Sequence, residues 1–139
     1  MPAMRFLDTN ILLYAISRAP DEVLKAQCAL RLLDADDWAL SVQVLQEFYV
    51  QATRPTKKVR LHHRQAAALI ESWLRFRVED VTVSILQAAL ATKDRYQLSY
   101  WDAAIIEAAR SAGCAEVYSE DLAAGRDYGG VRVVNPFVR

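Results

Sequence analysis

The 139-residue chain has little of what marks special chain classes. It carries only four glycines and four prolines, so long flexible linkers and low-complexity tracts are not expected. Its two cysteines, Cys28 and Cys114, lie far apart and match no metal-ligand spacing. That excludes a disulfide scaffold and predicts two buried free thiols in a reducing compartment. The only two histidines are the adjacent pair His62-His63, so no Cys/His cluster for zinc is present. Neither sign of charge dominates, with 17 Lys plus Arg against 17 Asp plus Glu. Net charge therefore gives no pointer to nucleic acid, although a local basic patch remains compatible with one. No apolar run approaches the ~20 residues of a membrane span, and the first residues lack a charged-then-apolar leader. These absences lead to the expectation of a cytoplasmic, soluble protein forming one domain over residues 1–139.

What is present is an alternation of apolar runs and amphipathic stretches. Ala3 to Leu7 reads as a buried strand, followed by a turn at Asp8-Thr9-Asn10 and a helix from Ile11. Pro20 fits the first turn of a second helix reaching Leu33, with Leu24, Cys28 and Leu32 on one face. Trp38–Ser41 reads as a strand, and Ser41 caps a helix with Val44, Leu45, Phe48 and Tyr49 that Pro55 ends. Thr56 to Arg64 is a polar, basic loop. Leu69, Ile70, Trp73 and Leu74 then mark a helix. Asp80-Val81-Thr82 is a candidate third strand, and Val83, Leu86 and Leu90 mark the helix after it. Ser99 opens a helix that ends near Gly113. Glu116–Ser119 and Val131–Val134 are the last strands, with Gly129-Gly130 between them. Strands alternating with helices predict βαβ units, a mostly parallel sheet and a three-layer α/β/α sandwich. Trp38 and Trp73 fall at core positions.

Four acids fall where such a fold binds ligands, beyond the carboxyl ends of its strands. Asp8 follows the first strand directly. Asp121 lies two residues past Ser119. Asp102 sits three residues after the cap Ser99, and Glu47 lies in the second turn of the helix capped by Ser41. Each alone is accounted for as a turn, cap or surface residue: Ser99-x-x-Asp102, for instance, resembles a capping box. Together they would form a carboxylate cluster that repels itself unless a cation is bound. An all-oxygen donor set suits Mg²⁺ or Mn²⁺. Such an ion supports hydrolysis of a phosphodiester.

Phe6-Leu7-Asp8-Thr9-Asn10, Gln46-Glu47-Phe48, Tyr100-Trp101-Asp102-Ala103-Ala104-Ile105 and Ser119-Glu120-Asp121-Leu122 resemble, in order and spacing, the acidic motifs of PIN-domain nucleases. Total length is similar to the VapC-type toxins of bacterial toxin–antitoxin pairs. The resemblance implies an Mg²⁺- or Mn²⁺-dependent endoribonuclease in which Asp8, Glu47, Asp102 and Asp121 hold the metal, Asp8 and Asp102 most firmly. It further implies Thr9, Asn10 and Ser119 as residues orienting the carboxylates or water, an RNA substrate, and an antitoxin that blocks the site. Glu120 neighbours Asp121, and the motif position favours Asp121 as the inward acid.

Around these, Arg54, Lys57, Lys58 and Arg60 belong to the most basic segment, which either guides an RNA backbone or is a solvated connection. Tyr100 and Trp101 read as packing residues, with stacking on a base as the alternative. Amphipathic helices such as Leu24–Leu33 and Leu45–Tyr49 would offer a groove to a partner, and a homodimer is expected. Two rival readings remain open. A receiver or haloacid-dehalogenase-like phosphatase also places Asp at strand ends, but the phosphatase pattern wants Asp where Asn10 stands, and the receiver pattern wants a lysine that the last strands lack. A catalytically silent binding module would have lost an acid, and none is missing.

Overall fold

The computed structural model describes residues 4–55 and 60–138. Within them the elements run β1 (Arg5–Leu7), α1 (Thr9–Ala15), a 3₁₀ turn (Pro20–Glu22), α2 (Val23–Leu32), β2 (Trp38–Ser41), α3 (Val42–Ala52) and α4 (His63–Trp73). They continue with β3 (Arg77–Glu79), α5 (Val83–Tyr96), α6 (Tyr100–Ser111), β4 (Glu116–Tyr118) and β5 (Arg132–Val134). All four strand pairings are parallel, in the order β3-β2-β1-β4-β5. The expected sandwich is therefore present, and its sheet is wholly parallel. Parallel strands need crossovers, and here each crossover except the last contains helix. The helices pack as two groups, α1–α4 and α5–α6, and β2 touches one member of each, α3 and α6.

The strand order has a functional consequence. From β1 the chain builds outward through β2 to β3, then returns to place β4 and β5 on the other flank of β1. The reversal leaves a crevice between the carboxyl ends of β1 and β4, the place where open parallel sheets bind ligands. Asp8 follows β1, and its backbone N–H donates to Tyr118 O at 3.0 Å, tying the two strand ends together.

The core is continuous across the sheet. Phe6, Leu7, Trp38, Leu40 and Val117 are fully enclosed, and Phe48, Trp73 and Ile106 cover them from the helices. Phe48 and Trp73 meet edge-to-face at 4.8 Å, so the core reading of both tryptophans holds.

Four local expectations need correction. The third strand is Arg77–Glu79 rather than Asp80–Thr82, because Thr82 is spent as the cap of α5, its side chain accepting from Ile85 N at 3.1 Å. The second helix opens with a 3₁₀ turn, and Leu24 is 79% exposed instead of lying on an inward face. Helix α5 buries Ile85 and Ala89, leaving Val83, Leu86 and Leu90 in solvent. Cys114 is buried as expected, but Cys28 is only half-buried, near Pro136 O at 3.6 Å. No described helix is long and apolar enough to cross a membrane.

Candidate active site

Asp8, Glu47, Asp102 and Asp121 come from four separate elements and line one cleft of about 900 Å³ at the carboxyl edge of the sheet. The sequence places each by a local rule. Asp8 is the N-cap of α1, its Oδ1 accepting from Thr9 N at 2.7 Å. Ser41 caps α3 by accepting from Val44 N at 3.3 Å, which sets Glu47 in the following turn. Ser99 caps α6 by accepting from Asp102 N at 3.1 Å, which fixes Asp102 in the first turn. Asp121 stands in the loop after β4.

Neutral side chains knit the acids together. Ser119 Oγ donates to Asp8 Oδ2 at 2.7 Å and accepts from Asp121 N at 3.1 Å. The Asn10 amide donates to Asp8, Ser119 and Asp121 at 3.4, 3.3 and 3.2 Å. Thr9 Oγ1 donates to Glu47 Oε2 at 2.9 Å. Glu120 turns away, joined to the Tyr14 hydroxyl and, at 2.6 Å, to Lys25. Burial pushes the Glu120 carboxyl upward, but the Lys25 and Tyr14 bonds outweigh it and hold it below its ordinary value. Asp121 is thus the acid of this loop that faces the cleft.

The electrostatics register the crowding. Burial pushes the Asp8 carboxyl up to about 6, bonds from Ser119 and Thr9 oppose this, and the charges of Asp121 and Glu47 add to it. Asp102 is also raised, first by burial and then by those same two charges, with Ser99 pulling the other way. Among the described residues, no three acidic, histidine or cysteine side chains already stand as a ligand set for an ion.

Residues 5–126 match the PIN-domain family. The chain belongs to that family. Solved structures of similar fold cover 84% of it or more. A toxin–antitoxin complex from Klebsiella pneumoniae is 21% identical, covers 96% of this chain and 98% of its own, with a TM-score of 0.69. Mycobacterium tuberculosis VapC20, described as a sarcin–ricin loop cleaving toxin, is 24% identical over 84% of this chain and 89% of its own, with a TM-score of 0.67. DNA-bound VapBC from Salmonella typhimurium is 19% identical over 95% and 97%, with a TM-score of 0.65. No curated protein sequence matches.

The rim of this PIN-domain cleft differs from the sequence-based expectation. Arg60 lines it, Arg54 does not, and Lys57 and Lys58 lie outside the described residues. Arg18, in the turn after α1, lines it without having been singled out, and a lone arginine in a turn carries no sequence signal. Gln43 was also missed: it is 7% exposed and donates to Glu47 Oε1 at 2.9 Å. Its position four residues before Glu47, on the same helix face, was the available signal. Trp101 is 62% exposed on the cleft wall, which overturns its reading as packing, whereas Tyr100 is half-buried against Ala89, Ala103 and Ala104. Helix α3 offers no apolar groove at Leu45 and Phe48, because both are in the core.

Proposed function

We propose that this PIN-domain chain is a divalent-metal-dependent endoribonuclease and the toxin of a toxin–antitoxin pair. The observation that carries the reading is the meeting of four acids, from four elements, in one crevice where burial and mutual charge raise Asp8 and Asp102. The donor set is all oxygen, which fits a hard cation such as Mg²⁺ or Mn²⁺ and not zinc. Family membership and the likeness to toxin–antitoxin structures from Klebsiella pneumoniae and Salmonella typhimurium support the same reading.

When bound, the cation offsets the clustered negative charge, acidifies water and balances charge building on the phosphate. Asp8 and Asp102 would hold the ion, and Glu47 and Asp121 would assist them or accept a proton from the attacking water. Ser119, Asn10, Thr9 and Gln43 bond the Asp8, Asp121 and Glu47 carboxylates and orient them within the cleft, from which they would close on the ion. Arg18 and Arg60 on the rim meet flanking phosphates. An antitoxin would block this cleft. The exposed apolar side chains of α2 (Val23, Leu24, Leu30) and α5 (Val83, Leu86, Leu90) are surfaces for that partner or for a second copy in a cytoplasmic homodimer. The phosphatase alternative is disfavoured by Asn10, whose amide binds two of the acids and has no carboxylate to supply.

The test is cleavage of single-stranded RNA by the purified chain. Cleavage should require Mg²⁺ or Mn²⁺, stop with a chelator, and fall by about 100-fold or more in Asp8→Asn. Expression of the wild-type chain alone should arrest bacterial growth, and expression of Asp8→Asn should not. Full activity in Asp8→Asn would refute the proposed site.

A further inference from the structure

Among the described residues, Trp101 is the one large apolar side chain that is both strongly exposed and part of the cleft wall. The other two tryptophans are 0% and 4% exposed. Leaving an indole in water beside carboxylates forfeits the burial energy that the fold extracts from Trp38 and Trp73. Its placement is nonetheless fixed. It occupies the first turn of α6, adjacent to Asp102, and meets the Tyr100 ring edge-to-face at 5.2 Å. Gln43 Nε2 lies 3.4 Å from the Trp101 carbonyl while donating to Glu47, so the backbone carrying the indole is tied to one of the four acids. Arg18 and Arg60 line the same cleft.

We infer that Trp101 is the platform on which an unpaired nucleobase next to the scissile phosphate stacks. This rests on the ribonuclease reading and deepens it. The acids address the phosphodiester, the arginines address neighbouring phosphates, and the indole offers the flat face of a base the largest exposed aromatic surface on the cleft wall, beside the smaller rings of Tyr14 and His62. A base inside a duplex has both faces covered by its neighbours, so the platform selects RNA whose bases are free to splay out. Because every base has such a face, it favours unpaired structure more than a particular sequence.

The experiment uses the full chain with a short mixed-sequence single-stranded RNA and the same sequence as a blunt duplex. With Mg²⁺ present, Trp101→Ala should raise KM for the single strand about tenfold with kcat little changed, within the range that stacking of a base on an aromatic ring contributes. Trp101→Phe should restore most of that loss and Trp101→Leu, which keeps apolar bulk without a ring face, should not; a purely structural role for the position would let both restore it. Without Mg²⁺, the single strand should quench the wild-type tryptophan emission and the duplex should not. The residual emission of Trp38 and Trp73 in Trp101→Phe should stay constant. An unchanged KM in a folded Trp101→Ala protein, or equal quenching by duplex, overturns the inference. So does a variant that cuts RNA normally but no longer binds its antitoxin, since the indole would then serve a protein partner. A wild-type chain whose emission responds to single strands but which cuts nothing would instead refute the nuclease reading and leave the platform standing.

Discussion

Asn10 occupies the position where a second carboxylate would stand in a phosphatase, and its contacts show what an amide does there. Its Nδ2 reaches Asp8, Ser119 and Asp121, and its Oδ1 accepts from Glu120 N at 3.2 Å. An amide can donate and accept at once, so one neutral side chain joins two anions and pins the loop after β4 without adding charge. Ser119 works similarly, and its effect on Asp8 is testable. Its hydroxyl is among the groups holding the Asp8 carboxyl down against burial. In metal-free protein, Ser119→Ala should move the Asp8 titration, followed by carboxyl ¹³C shift, upward from about 6. A lost hydrogen bond to a carboxylate contributes 1.5 kcal/mol or so, which corresponds to about one pH unit. A titration that stays put would mean that the hydroxyl binds the neutral and charged forms equally. At this scale the acids were legible because turn and cap chemistry fixes where Asp8 and Asp102 sit. The exposure of Trp101 was not, because sequence gives the turn of a helix a residue occupies but not which part of that turn a neighbouring helix leaves open.

Helix caps do most of the positioning between the residue and the fold. Ser41, Thr82 and Ser99 each accept from the N–H three residues on, and each was visible as a hydroxyl preceding an amphipathic stretch, although Thr82 was read as strand. That misreading and the misplaced β3 share a cause. Arg77-Val78-Glu79 is an edge strand paired only with β2, and edge strands tolerate charge, so its Arg77–Glu79 ion pair at 3.5 Å hid the strand from a search for apolar runs. The inner strands each carry fully enclosed apolar residues, such as Phe6, Leu40 and Val117, and are legible from these. The caps give a paired prediction. Ser41→Ala and Thr82→Ala should each cost about 1 kcal/mol, lowering Tm by a few degrees. Only Ser41→Ala should also weaken RNA cleavage, because α3 carries Glu47 and Gln43 while α5 carries none of the four acids. Equal activity losses in the two variants would show that cleavage follows global stability and not the placement of α3.

Over the whole molecule the charges cancel, yet four acids are gathered at one rim, and the fold is strained electrostatically where the ion is proposed to sit. Asp8 gives this a sign. Its folded-state carboxyl titrates at about 6 against an ordinary 3.8, so between those values the folded chain keeps a proton that the unfolded chain has lost. Stability from this group is complete below about pH 4 and declines through pH 6. By neutral pH the ionised, buried Asp8 costs about 3 kcal/mol. A divalent cation reverses the sign, since it binds the ionised form in the folded state alone. Two melting experiments follow. In chelator at pH 7.5 or so, Asp8→Asn should melt up to about 10 °C above wild type, because Asn caps a helix equally well without the buried charge. On adding Mg²⁺ or Mn²⁺, wild type should gain stability in proportion to the logarithm of the free metal while Asp8→Asn gains little. A site built to bind a cation gives up apo stability to keep its carboxylates ionisable and close. If the variant were instead the less stable protein in chelator, Asp8 would be a structural cap whose charge the fold already neutralises, and the crevice would have no need of an ion.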